Sequence, residues 1–408
     1  MNRKINRSIM LYPWFQGLLG DLLFYIAIDT LFFTADKGLS AAQIVSLATV
    51  SNAACILLNF PILYLMRRIG NTASTRISAL LLLLAALSIT FGNNYYWIAF
   101  GRILHGASQT FHNSAVIALE NNLTLIDKDQ DFVRVRASGN IVYSVLTMIV
   151  SLIVGPMFNW NHYLPMYCCI AACATGFLLT LLMADHSPYD RVPARKAAKK
   201  QKLPAAKMII LSILAFGLFY PIVHEGQSDG KLFIQQQILE SFTLERTTII
   251  ISSIVFISRV VRIVANVLFP KIYRKTRNRT GILLTGMLFL SIACLLGGSF
   301  LPWIYGKICV MCFGYIVILF IRDPFKLYIQ DVILNNTKRE LHQAMLAVMQ
   351  FAVKVGTVAT SLYSTLILLE HTMREVMAVT LFLAALEIGL CLWLYRMVTI
   401  SKNTQNNK

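Results

Sequence analysis

Twelve apolar stretches separated by short polar intervals sort the lysines and arginines of this chain to one side of a membrane. Counting the five residues at each end of a stretch with the adjoining interval, 26 of the 37 Lys and Arg belong to the alternate intervals that include both chain ends, 4 to the intervals between them and 7 lie deeper inside the stretches. Loops rich in Lys and Arg stay on the cytoplasmic side during insertion. The alternation therefore predicts an all-α integral membrane protein of twelve transmembrane helices with both termini cytoplasmic. A hydrocarbon core about 30 Å thick needs roughly 20 apolar residues to be crossed by a helix. Nearly all the stretches reach that length, at 10–35, 41–66, 74–92, 94–122, 137–158, 162–184, 207–236, 244–270, 281–299, 303–331, 343–369 and 373–396. A net charge of +18 would otherwise point to nucleic acid, but the loops that carry it are too short to form a domain, so no nucleic-acid partner is expected.

Composition agrees, because a soluble domain of 408 residues that is 57% hydrophobic and 14% charged would expose too much apolar surface. The first stretch follows the basic Met1-Asn2-Arg3-Lys4 and lacks a small-residue cleavage site, so it reads as a retained span and not a signal peptide. All eight cysteines lie in apolar stretches. Cys309 and Cys312 have CxxC spacing without a second pair, which reads as packing; no metal site and no cofactor are expected.

The longest hydrophilic interval divides the stretches six and six. An N-terminal six-helix bundle (1–185), a basic cytoplasmic linker (186–206) and a C-terminal six-helix bundle (207–408) follow. The linker holds Arg191, Arg195, Lys196, Lys199, Lys200 and Lys202, and can also touch anionic lipid headgroups. The halves look like copies in one orientation. Ser40-Ala-Ala-Gln43 opens span two as a capping box and Thr243 caps span eight; Arg67-Arg68-Ile69-Gly70 and Lys271-Ile272-Tyr273-Arg274-Lys275 close the same two spans. Two six-span pseudo-repeats in parallel are a common transporter plan.

At this layout the chain resembles the major facilitator superfamily over its whole length. Arg102 and Gly106 in span four match an Arg-x-x-x-Gly element. Arg68 and Gly70 match part of the loop element after span two, where Leu63 and Arg67 stand at its first Gly and its Asp. Gly155-Pro156 in span five matches part of the antiporter element, with Asn159-Trp160 where its glycines belong, and leans toward export. The resemblance implies gating or structural roles for Arg68, Gly70, Arg102, Gly106, Gly155 and Pro156. It implies a cavity lined by spans one, four, seven and ten and flanked by eight and eleven.

An ionisable side chain in hydrocarbon normally faces a bundle interior or a watery cavity. Central charges sit on spans one, four, seven, eight, ten and eleven, with Glu387 on span twelve as the exception. Span four carries Arg102, His105, Gln109 and His112 along one helical face. His105 is either a hydrogen-bonded neutral ring or a proton carrier. On span one, Asp21 is either permanently paired with a cation or a site where a proton binds and leaves; Tyr25 can contact substrate. Span seven contains His224, Glu225, Ser228, Asp229 and Lys231 with Gly226 and Gly230, and reads as a broken or kinked helix facing the cavity. Arg259, Arg262, Arg322, Lys326 and Lys354 make the second half cationic. Arg322-Asp323 reads as a partly self-compensated structural or gating pair. The cations either recognise an anionic substrate or pair with Asp21, Glu225 and Asp229.

The expectation is a secondary active transporter, not an enzyme, moving a small anionic or zwitterionic solute by alternating access. Substrate binding is assigned to Asp21, Tyr25, His105, Gln109, His224, Ser228, Arg259 and Lys354. Proton coupling is assigned to Asp21, His105, Glu225 and Asp229. Partners are the small solute, a proton or other coupling ion and membrane lipids. A compact chain without sorting signals points to a bacterial plasma (inner) membrane. Alternatives are a transport-inactive receptor on the same fold and a membrane-embedded lipid-modifying enzyme. The charge sorting makes a direct prediction: in a cysteine-free background, Lys202→Cys reacts with an impermeant maleimide only from the cytoplasmic side and Lys307→Cys only from the outer side. Labelling of both from one side would overturn the topology.

Overall fold

The computed structural model describes residues 2–128, 131–187, 206–276, 279–335 and 342–406. Among these, all regular structure is helical. The helices are α1 Asn2–Leu19, α2 Tyr25–Ala35, α3 Ala41–Ile69, α4 Asn71–Phe91, α5 Tyr95–Thr124, α6 Phe132–Trp160, α7 Leu164–Leu181, α8 Ala206–Leu239, α9 Leu244–Thr276, α10 Thr280–Gly298, α11 Ile304–Asn335, α12 His342–Glu370 and α13 Met373–Asn406. They make twelve spans, because α1 and α2 together form the first. The helices fall into two compact units that divide at residues 198 and 199. Nearly all of the expected basic linker lies outside the described residues.

Each unit repeats one packing scheme. In the first, α4 packs on α5 and α7, α3 on α5, and α1 on α5, α6 and α7. In the second, α10 packs on α11 and α13, α9 on α11, and α8 on α11, α12 and α13. Every one of these interfaces maps onto its counterpart six spans later, which is the expected pseudo-repeat.

Ends form where the sequence supplies the chemistry. Ser40 Oγ accepts from the Gln43 amide at 3.3 Å while Gln43 Oε1 accepts from the Ser40 amide at 3.0 Å, a complete capping box on α3. Thr243 Oγ1 caps α9 through the Arg246 amide at 3.5 Å. A single residue, Gly70, separates α3 from α4 at φ 88°, a conformation that favours glycine.

Between helices in lipid there is no hydrophobic driving force, so small residues and hydroxyl hydrogen bonds hold the contact. The α4–α5 seam uses both. Ser78 Oγ donates to Ser108 O at 3.0 Å, Ser108 Oγ donates to Ser78 O at 2.8 Å, and the Thr75 and Ser114 hydroxyls meet at 3.0 Å. Such bonds contribute roughly 0.6–2 kcal/mol each. On the opposite face of α5, Gly106 lets the helix approach α3 so closely that a Cβ there would lie 2.5 Å from Ser51 O.

Two expectations need correction. Span seven is neither broken nor interrupted: α8 runs through His224–Lys231 as one helix of 34 residues. Its glycines serve close packing, with Ile318 and Ile292 against Gly226 and Leu295 against Gly230. The break lies instead in span one, over residues 20–24: the Gly20 amide still donates to Gln16 O at 3.0 Å, while the Gly20 carbonyl is met from α5. Tyr12 is 2% exposed and packs beside Gly139, whereas Tyr96 and Trp160 are open at 81% and 85%. The α3–α5 contact predicts that Gly106→Val lowers the melting temperature of the purified protein and its yield in membranes, while Gly286→Ala, which meets nothing within 4 Å, leaves both unchanged.

Candidate functional site

In the first unit the polar stripe of α5 and the break in span one hold each other. Starting at the cytoplasmic side, His112 Nε2 meets Gln16 Oε1 at 2.9 Å, and its ring stacks on Phe15 with centroids 4.9 Å apart. Gln109 Nε2 donates to Gly20 O at 3.3 Å, so it satisfies a carbonyl released by the break. His105 Nε2 lies 3.0 Å from Asp21 Oδ1, which also accepts from the Leu22 amide at 2.8 Å. The Arg102 guanidinium lies 5.8 Å from the Tyr25 ring and its Nη1 is 3.5 Å from His105 Nδ1. Residues at i, i+3, i+7 and i+10 of one helix thus meet residues of the other in register. Gly20 is needed at the break, since a Cβ would lie 2.6 Å from Gln16 O and 3.0 Å from the Tyr143 ring.

This arrangement fixes a chemical direction. Arg102 can only donate, so in the Nε2–H tautomer of His105 the Nδ1 lone pair faces Arg102 and Nε2–H faces Asp21. The Asp21 side chain is 37% exposed and the His105 side chain 10%, so the carboxylate is the member of the pair that reaches open space.

The second unit places its polar groups differently. Glu225 on α8 is 1% exposed and accepts from two hydroxyls of α12, Ser361 Oγ at 3.0 Å and Ser364 Oγ at 2.9 Å. Asp229, one turn on and 3% exposed, accepts from Ser228 Oγ at 3.1 Å and lies within hydrogen-bond reach of Glu225. His224 Nδ1 is 4.0 Å from Glu225 Oε1. Arg262 on α9 clamps Asp323 on α11 through Nε–Oδ2 at 2.7 Å and Nη2–Oδ1 at 3.1 Å. That overturns the self-compensated Arg322-Asp323 pair: neighbours on a helix point about 100° apart, so Asp323 reaches α9 while Arg322 reaches α8. Arg322 Nη1 donates to Gln227 Oε1 at 3.1 Å, and its guanidinium lies 5.7 Å from the Tyr220 ring.

The remaining candidates scatter. Arg259 is half-buried on α9 and Lys354 is exposed on α12. Arg68 bonds the Tyr64 hydroxyl on an exposed face at the end of α3. Gly155 is buried within α6 and Pro156, inside the same helix, is exposed. Among the described residues no cluster of three or more His, Cys, Asp or Glu is arranged to hold a metal. Sequence reasoning missed Ser361 and Ser364, whose i, i+3 spacing within an apolar span was the available signal, and Tyr220 and Gln227, which carried none.

A family model described as Major Facilitator Superfamily matches residues 15–337. No curated protein matches the sequence. Among solved structures, a point mutant of the nucleoside transporter NupG is 12% identical with a TM-score of 0.75, over 96% of this chain and 99% of that one. A point mutant of the peptide transporter POT is 10% identical with a TM-score of 0.72, over 96% and 93%. A bacterial homolog of the human lysosomal transporter Spinster is 10% identical with a TM-score of 0.65, over 97% and 96%.

The α9–α11 clamp predicts that Arg262→Leu alone lowers stability by roughly 1.5–3 kcal/mol, because it removes the two charged hydrogen bonds to the partly buried Asp323 carboxylate. Arg262→Leu with Asp323→Leu recovers most of the loss, and chemical unfolding of the two variants checks the pair.

Proposed function

Because the chain belongs to the major facilitator superfamily, we propose that it is a secondary transporter that moves a small solute by alternating access and is driven by protons. The six-helix units, 1–185 and 207–408 with 186–206 between them, are the moving bodies of this reading. A bacterial plasma membrane with both termini cytoplasmic is its setting. The coupling rests on one observation: a histidine and an aspartate pair at the only break in the described spans, with an arginine on the far side of the ring.

In this reading the proton is converted to motion at the ring. When the Asp21–His105 pair takes up a proton on the imidazole, Nδ1 becomes a donor facing Arg102, and its lone pair is gone. Two unit charges 3.5 Å apart repel by on the order of 5 kcal/mol at an effective dielectric of about 20. Arg102 must then leave the ring, and its contact with Tyr25 on α2 carries the displacement into the broken span. Glu225 and Asp229 are a second place for a proton in this reading, since two buried carboxyls one turn apart are relieved by sharing one. Gly155-Pro156 supports export as the direction, and the excess of intramembrane cations supports an anionic or zwitterionic solute.

The test compares solutes inside and outside cells making the wild type, Asp21→Asn or His105→Gln, each with and without an uncoupler. The expected result is a solute displaced by the wild type alone, with displacement falling at least tenfold in either variant or with the uncoupler. Displacement that survives the uncoupler removes proton coupling; no displaced solute, with the protein present in the membrane, removes the transporter reading.

A further inference from the structure

Arg322 is a positive charge inside the membrane-spanning part of α11, Ile304–Ile333, and its protein partners are neutral. Nη1 donates to the Gln227 side-chain oxygen at 3.1 Å, and the guanidinium lies 5.7 Å from the Tyr220 ring. Among the described residues no carboxylate forms an ion pair with it, because the neighbouring Asp323 gives both oxygens to Arg262. A guanidinium inside a membrane span that is not paired with a carboxylate is costly, and it is retained here beside a second donor.

The second donor is Gln227. Its orientation is set by Arg322: turning the amide over would aim N–H at the guanidinium, so the oxygen faces Nη1 and the NH2 group faces away. That NH2 and Arg322 Nε are both buried with no acceptor from the protein. Two orphan donors and one net positive charge thus stand together. Arg322, Gln227 and Tyr220 are each only partly buried, so the cluster keeps an open side. Buried polar groups find partners, and the partner that answers both the donors and the charge is an anion.

We infer that Arg322 and Gln227 form a carboxylate-binding subsite for the solute, a specification that rests on the transporter reading above. One guanidinium and one neutral amide balance a single negative charge, and Glu225 and Asp229 on the same helix as Gln227 oppose a second one. A planar carboxylate matches the fork of an arginine. Tyr220, half-buried beside the guanidinium, gives the rest of the molecule an aromatic contact, and the buried Phe216 backs it with ring centroids 4.8 Å apart.

The probes are benzoate, its neutral isostere benzamide, and inorganic phosphate, added to the purified full-length protein while thermal unfolding is followed through exposure of its free thiols. Benzoate is expected to raise the wild-type melting temperature by a few degrees, as a ligand of the native state does, and benzamide and phosphate to leave it unchanged. Arg322→Gln abolishes the benzoate shift. Gln227→Glu, which delivers a carboxylate to Arg322 from the protein itself, also abolishes it and melts above the wild type without any ligand. This second variant decides the matter if Arg322→Gln does not fold. Absence of a benzoate shift in the wild type, an equal shift with benzamide, a shift with phosphate instead, persistence of the benzoate shift in Arg322→Gln, or a Gln227→Glu protein melting below the wild type each overturns the subsite. Arg322-dependent benzoate binding in a protein that displaces no solute from cells counts against transport alone. A displaced solute with none of these effects counts against the subsite alone.

Discussion

Hydrocarbon offers a polar group no partner, and the first unit is organised around that fact. Ten helices are long and apolar enough to cross a membrane by composition alone. The two spans outside that set are span one, cut into α1 and α2, and span four, α5 with its stripe of Arg102, His105, Gln109 and His112. These are the two spans that satisfy each other. The break frees backbone groups and brings in Asp21; the stripe provides a donor or an acceptor at each step, from His112 on Gln16 to His105 on Asp21. Neither segment is a sound membrane helix by itself, because an unmet backbone carbonyl or an isolated carboxylate costs several kcal/mol in lipid.

The second unit reuses the scaffold with other chemistry. Its helix interfaces repeat those of the first, yet the equivalent of the broken span is the unbroken α8. Its acids are deeper and are met by α12 hydroxyls instead of a histidine. Packing constrains the backbone and the small residues at crossings such as Gly106 with Ser51 O and Gly314 with Ser291 O; it leaves polar side chains free to diverge, so one fold carries different sites. In the proposed reading, a histidine pair open on the carboxylate side in one unit takes up the driving proton and an arginine with neutral partners in the other holds the solute.

Charge sorting and hydropathy made the architecture legible before any coordinates. The described helices follow the expected spans closely, extend past them mainly at their cytoplasmic ends, and start at the expected caps on Ser40 and Thr243. These features are local: each depends on residues within one turn or on the side chosen by a single loop. The candidate residues were legible as a set, since an ionisable group in an apolar stretch stands out. Their partners were not. His224, Glu225, Gly226 and Gly230 looked like a kink by composition, but glycines at a tight crossing and glycines at a bend have the same sequence.

From sequence alone came the twelve spans, their expected orientation, the two-fold repeat and the polar residues that each half carries inside the membrane. The tertiary structure decided which polar residues meet: Asp21 with His105, Glu225 with Ser361 and Ser364, and Asp323 with Arg262 instead of its neighbour Arg322. Insertion is governed by apolarity and charge summed along a segment, quantities that the order of residues contains. Pairing is governed by which helix faces meet, and that depends on how every crossing in the bundle packs.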